Sequence, residues 1–296
     1  MKNARKRSAA TAAIAVLAAG LSWAGAVHAA GPQTVYFPSA DGQTELVGYL
    51  FSPPGGAARP AVVMLHGRAG PYSSNVNAGC TTVARGYPSP CGAGSLSRRH
   101  QMWAAYWVEH GYAALLVDSF GPRGRAHGFG RGSHADPERD AVNELTVRPL
   151  DAEAALAWLA AQPGVNPERV MLQGWSNGGS TTLNTVHRQA EAAPKTPRFH
   201  AALALYPGCG PKALLARKLN VDIPLQVLLG SDDEEVSPTV CREVAARTPS
   251  AIQVQWYDGA THDFDDPGKA RQAVAANRSA QADALQRAAP FFDAVP

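Results

Sequence analysis

Apolar residues along this chain fall into short runs closed by glycine, proline or polar turns. Gln33–Phe37 and Glu45–Phe51 flank Asp41-Gly42 and read as two strands joined by a hairpin-type turn. Six further runs read as strands: Ala61–Leu65, Tyr112–Val117, Val170–Leu172, Ala201–Tyr206, Pro224–Leu229 and Ile252–Tyr257. Helical spacing lies between them. Gln101–His110 places Trp103, Tyr106 and Trp107 near one face, and Leu150–Ala161 is rich in alanine. Ser180–Gln189, Pro238–Ala246 and the C-terminus from about Gly268 complete the helical set. Residues 71–98 and 119–139 are irregular. Strand–helix alternation after an antiparallel start predicts an α/β protein with a mostly parallel central sheet and helices on both faces. In such sheets the chemistry sits in loops past the carboxyl ends of the strands.

The N-terminus reads differently. Lys2, Arg5, Lys6 and Arg7 precede an apolar stretch of about Ala9–Ala19, and Val27-His28-Ala29 resembles a small-residue cleavage site. This is the pattern of an export signal over residues 1–29. A membrane anchor is the competing reading, but the apolar core is short for a span and Ser22 and Gly25 interrupt its end. Removal of the four positive charges takes the formal charge from +3 to −1, so the basic balance belongs to the signal. It argues for neither nucleic acid nor an anionic membrane as partner. No other segment is apolar enough to span a bilayer. The remaining residues, 30–296, suffice for one large catalytic domain. Periplasmic or secreted localisation follows from the signal.

Four cysteines, Cys80, Cys91, Cys209 and Cys241, remain in the exported part. An even count in an oxidising compartment favours disulfides. Of the three pairings, Cys80–Cys91 with Cys209–Cys241 is favoured. The first closes a Gly/Pro/Ser-rich loop and the second ties two post-strand loops. A metal site is the competing reading, disfavoured because no pair has C-x-x-C spacing.

The most specific motif is Gly174-Trp175-Ser176-Asn177-Gly178-Gly179, between the Val170–Leu172 strand and the helix that follows it. G-x-S-x-G in that setting is a nucleophile elbow, which exposes a serine on a sharp strand-to-helix turn. A serine hydroxyl needs a base to take its proton and a third group to orient the base. His262 follows the Ile252–Tyr257 strand and is the candidate base. The acid falls in Gly230-Ser231-Asp232-Asp233-Glu234-Glu235, with Asp233 chosen and Asp232 the alternative. A solvated acidic turn or a calcium site are the other readings of this cluster. The second one lacks the ligand spacing of a known loop. Backbone N–H groups of Asn177 and of Arg68, in His66-Gly67-Arg68-Ala69-Gly70, are the expected oxyanion hole. The segment Pro71–Arg99 is a candidate wall of the site, with a bland surface insertion as the alternative. The loop carrying Arg123, Arg125 and Arg131 is either a carboxylate-binding loop or a solvated basic one. Trp175 is expected to pack in the core.

Together with Asp118–Gly124, Tyr206-Pro207-Gly208-Cys209 and His262-Asp263-Phe264, these motifs resemble the dienelactone hydrolase family of the α/β-hydrolase superfamily, over about residues 46–295. The resemblance implies an α/β-hydrolase fold, an ester or lactone as small-molecule substrate, and no metal or organic cofactor. Two departures stand out. The namesake enzymes resemble a Cys–His–Asp machine and carry a glutamate in the loop after the first parallel strand. This chain has Ser176 and Gly67 there. Both differences fit a Ser–His–Asp esterase working through an acyl-enzyme. The elbow alone is also similar to those of secreted polyester hydrolases, which makes a polyester or polyhydroxyalkanoate depolymerase the alternative enzyme. A non-catalytic binding protein of the same fold is the alternative from another class.

Overall fold

The computed structural model of the chain describes residues 1, 31–194, 196–216, 219–248 and 252–295. The expected export signal, residues 1–29, lies outside these apart from Met1. Eight strands form one sheet: β1 (Gln33–Pro38), β2 (Glu45–Phe51), β3 (Arg59–Leu65), β4 (Ala113–Asp118), β5 (Val165–Trp175), β6 (Ala202–Leu205), β7 (Leu225–Gly230) and β8 (Ile252–Tyr257). Their spatial order is β1-β2-β4-β3-β5-β6-β7-β8. The pairings β1–β2 and β2–β4 are antiparallel, and all others are parallel. The helices are α1 (Arg98–Glu109), α2 (Arg148–Ala160), α3 (Asn177–Glu191), α4 (Pro238–Ala245), α5 (Lys269–Gln272) and α6 (Ala275–Asp293).

The pleat explains the unbroken apolar runs. Along β3, Ala61, Val63 and Leu65 enter one core while Val62 and Met64 enter the other. A strand covered on both faces has no solvent side to make polar. The first core is shared with Ala152, Ala155 and Leu159 of α2, Leu183 and Val186 of α3, and Val244 of α4. The second is shared with Trp103 and Trp107 of α1 and Phe292 of α6. Trp107 stacks on Phe292 with ring centroids 5.0 Å apart. Ala280, Ala284 and Ala288 form the buried stripe of α6. Their four-residue spacing lets this helix lie close to the sheet.

Element types agree with the sequence, but several boundaries move, α1 starting at Arg98 three residues before the expected Gln101. β5 extends from Val165 through Asn166-Pro167-Glu168-Arg169, and its pairing with β3 shifts register between Arg59 and Ala61. α3 starts at Asn177, three residues before the expected Ser180. The C-terminal helix is broken at Val274 into α5 and α6. Asn277 explains the break, because its side-chain amide donates to Arg271 O at 3.0 Å while its Oδ1 accepts the Thr261 N–H at 2.9 Å. The break thus fastens the residue before His262. Both favoured disulfides, Cys80–Cys91 and Cys209–Cys241, are formed. Among the described residues, no helix is long and apolar enough to cross a membrane.

Candidate active site

Ser176 follows directly on β5 with φ 51° and ψ −114°. A non-glycine residue held at positive φ costs about 1–3 kcal/mol and persists only where its surroundings enforce it. Here the enforcement is close backbone packing. A Cβ on Gly174 would lie 2.1 Å from Gly178 O, and one on Gly178 would lie 2.0 Å from Leu65 O. Only glycine lets the first turn of α3 lie against β3 and β5 at this distance. Ser176 is also pinned by its N–H, which donates to Leu205 O at 2.9 Å.

His262 and Asp233 arrive from the loops after β8 and β7. His262 Nε2 lies 2.9 Å from Ser176 Oγ, and Nδ1 lies 2.7 Å from Asp233 Oδ2. A carboxylate only accepts, so Nδ1 carries the proton and Nε2 is the acceptor facing the serine. Asp233 Oδ1 accepts the N–H groups of Glu235 and Val236, each at 2.8 Å, which fixes the carboxylate from behind. Asp232 is exposed and takes the Ser231 hydroxyl instead. Burial pushes the His262 imidazolium toward deprotonation. The hydrogen bond to Asp233 and the charges of Asp263, Asp233 and Glu235 outweigh this and raise its pKa above the ordinary value.

The loop after His262 is anchored by Asp263, Trp175 and Tyr206 of the motifs above, and by Arg99 and Asp265, which no motif marks. Asp263 has φ 57°, and its carboxylate is ion-paired with Arg99 at the start of α1. Burial raises the Asp263 carboxyl, but Arg99 and His262 outweigh it and hold it well below the usual range. Asp265 is fully buried and accepts from Trp103 Nε1 at 2.7 Å, Trp175 Nε1 at 2.8 Å and Tyr206 Oη at 2.5 Å. Trp175 is therefore a core residue, as expected, and also ties the elbow to the histidine loop. The Tyr206 ring lies 4.7 Å from the His262 ring. A run of aspartates at 263, 265 and 266 was the available signal, but it resembles an ordinary surface turn.

Opposite the histidine lies the loop after β3. Among the hydrogen bonds of the described residues, the backbone N–H groups of Arg68 and Asn177 have no partner. The fully buried Arg148 braces both segments. Its Nη2 donates to His66 O at 2.8 Å and its Nη1 to Asn177 Oδ1. Asn177 Nδ2 in turn donates to Glu144 Oε2 at 2.7 Å. The Arg68 side chain crosses to the acid loop, donating to Glu235 from Nε at 3.0 Å and Nη2 at 2.8 Å. Gly67 runs alongside Ser176, since a Cβ there would sit 3.5 Å from Ser176 Cβ.

The three arginines of the Gly-rich loop are engaged with acidic residues. Arg123 pairs with Asp151 and Asp41, Arg125 with Glu138, and Arg131 with Glu234 and Glu235. From the segment Pro71–Arg99, it is Arg99 that reaches the histidine loop. Glu235, His262 and Asp263 each offer one ligand atom within 4.8 Å of the others. Glu235 and Asp263 are already neutralised by Arg68 and Arg99, so this donor set fits the charge environment of an imidazole better than a cation site.

Eight strands in this order, with a serine on the sharp turn after β5 and an imidazole and carboxylate from the loops after β8 and β7, define the α/β-hydrolase class. The model of the Dienelactone hydrolase family matches residues 95–295. The chain belongs to that family and is by class a carboxylic ester hydrolase. Solved structures share its fold. A putative dienelactone hydrolase from Klebsiella pneumoniae is 17% identical with a TM-score of 0.64, covering 89% of this chain and 98% of its own. A dienelactone hydrolase-like promiscuous phosphotriesterase from metagenomic libraries is 20% identical with a TM-score of 0.64, covering 90% and 99%. A thermophilic esterase from Thermogutta terrifontis, with propionate bound, is 17% identical with a TM-score of 0.56, covering 87% and 95%. At these identities the likeness is one of fold.

Proposed function

We propose that this chain is an exported serine hydrolase that cleaves carboxylic esters or lactones through an acyl-enzyme, in a single catalytic domain of residues 30–296. The observation that carries the reading is the continuous relay from Asp233 through His262 to a serine held at positive φ. Ser176 Oγ attacks the carbonyl carbon while His262 Nε2 takes its proton. Asp233 keeps the imidazole in the required tautomer and stabilises the imidazolium. The N–H groups of Asn177 and Arg68 receive the developing oxyanion, and Arg148 holds their two segments in register. His262 then protonates the leaving alcohol, and water releases the acid. In a lactone the leaving alcohol stays tethered to the acyl group. The propionate-bound esterase and the phosphotriesterase among the fold neighbours support attack by such a site on ester-type centres. The two disulfides support maturation in an oxidising compartment, periplasmic or extracellular.

The test is hydrolysis of a p-nitrophenyl ester chain-length series, with a fluorophosphonate label as a second readout. Ser176→Ala is expected to lose activity by at least about a thousandfold and to lose the label. Full activity in Ser176→Ala would overturn the reading.

A further inference from the structure

The acid and histidine loops hold more carboxylates than the relay uses. Most of the surplus is accounted for by its contacts. Glu234 accepts the His262 N–H at 2.9 Å and pairs with Arg271, and Asp263 pairs with Arg99. Glu235 is different. Its Oε2 lies 3.8 Å from His262 Nε2, the nitrogen that faces Ser176. That is too long for a direct hydrogen bond, but short enough for one water to reach both atoms through bent hydrogen bonds. The side chain is 12% exposed, so it forms part of the wall of the site.

The carboxylate is also aimed. Oε1 accepts from Arg68 Nη2 at 2.8 Å and is ion-paired with Arg131, whose Nε lies 2.9 Å away, while Oε2 accepts from Arg68 Nε at 3.0 Å. A carboxylate oxygen accepts at about two positions, so one position on Oε2 is left on the side of the imidazole. Burial raises the Glu235 carboxyl, but the Arg68 hydrogen bond and the charge of His262 outweigh it and keep it ionised.

We propose that Glu235 is a catalytic residue of the second half-reaction, holding jointly with His262 Nε2 the water that hydrolyses the acyl-enzyme. The inference rests on the Ser176 acyl-enzyme reading. Once the alcohol has left, Nε2 is again an acceptor. The water donates one hydrogen to Nε2 and the other to Glu235 Oε2, which points its oxygen at the acyl carbon. As the new carbon–oxygen bond forms, His262 takes the first proton. The tetrahedral species then collapses, the bond from carbon to Ser176 Oγ breaks, and His262 returns that proton to Oγ. Glu235 stays ionised and exchanges no proton. During acylation the alcohol portion of the substrate occupies the place of the water, so the contribution belongs to deacylation.

Stopped-flow hydrolysis of p-nitrophenyl acetate by the parent, Glu235→Gln and Ser176→Ala tests this, with acyl-enzyme trapped in acid and counted by intact mass. In Glu235→Gln the release of the first p-nitrophenolate is expected to stay within about threefold of the parent, while acyl-enzyme decay slows by about tenfold or more. Hydroxylamine, which attacks without prior deprotonation, is expected to restore much of the turnover. If Glu235 merely tethers Arg68, both phases slow together, and that result overturns the proposal, as does an unchanged decay. Should Glu235→Gln not fold, Glu235→Asp keeps the charge but withdraws the carboxylate, and it is read by the same split. Full activity in Ser176→Ala would instead remove the acyl-enzyme reading itself.

Discussion

His262 sits among more negative charge than a base oriented by one aspartate requires. Burial disfavours its imidazolium, yet Asp233, Asp263 and Glu235 together raise its pKa above the ordinary value. The sign for activity follows from the proposed role. As the proposed base, His262 must be neutral to take the serine proton, so kcat/KM is expected to fall as pH drops through its pKa. The acid limb is therefore expected above the ordinary 6.5. Asp263→Asn removes one of the raising charges and leaves Arg99 with only its longer ion pairs to Asp265 and Asp266, each at 3.8 Å, and both effects favour the neutral imidazole. Its limb is expected at lower pH than the parent's, read from kcat/KM against pH on a p-nitrophenyl ester. An unmoved limb, or one moved upward, would show that Asp263 serves only to shape the loop. Ser176, His262 and the acid cluster were legible in the sequence because each follows a predicted strand, where this architecture puts its chemistry. Arg99, Arg148 and the partners of Glu235, a member of that cluster, were not. Arg99 finds Asp263 across 164 residues and Arg68 finds Glu235 across 167, so neither pairing leaves a local pattern.

At the scale of elements, the elbow is a packing device before it is a chemical one. α3 begins at Asn177 because Gly178 and Gly179 let its first turn approach the sheet, and helix propensity alone would have disfavoured two glycines there. That is why the sequence reading started the helix at Ser180. The strands were easier to see, since burial on both faces leaves continuous apolar runs, whereas Pro167 and its polar neighbours hid the first half of β5. Gly178→Ala is expected to be destructive. The added methyl would meet Leu65 O at 2.0 Å and His66 O at 2.6 Å, and backbone at the end of a buried strand has little freedom to yield. A loss of about 3 kcal/mol or more is expected from overpacking, measured as a lowered urea midpoint, together with lost fluorophosphonate labelling. Gly94→Ala meets nothing within 4 Å and is the matched control, expected to change neither readout. A Gly178→Ala protein as stable and as reactive as the parent would mean that the elbow is looser than its contacts imply.

Across the whole molecule, the two disulfides fasten irregular chain where the sheet itself offers no support. Cys80–Cys91 closes a segment with little regular structure, and the Cys80 and Thr81 carbonyls there accept from His127 Nδ1 and the Ala126 N–H of the loop after β4. Cys209–Cys241 joins the loop after β6 to α4. The adjacent Gly208 N–H donates to Ser180 Oγ of the nucleophile helix at 3.0 Å, so this second bridge reaches within one contact of the site. Loop-closure entropy separates the two. The bridged residues are 11 apart in the first case and 32 in the second. On the chain-entropy account these constraints on the unfolded chain correspond to about 3 and about 4 kcal/mol. The pair Cys209→Ala/Cys241→Ala is therefore expected to lower stability by about 1 kcal/mol more than Cys80→Ala/Cys91→Ala, read from urea unfolding of both double variants. Loss of the longer bridge is expected to leave turnover at low temperature within a few-fold of the parent, because the Asp233–His262–Ser176 distances depend on other contacts. A larger loss from the shorter bridge would mean that native-state packing around Cys80 and Cys91, and not the entropy of the open chain, sets the value of these bonds.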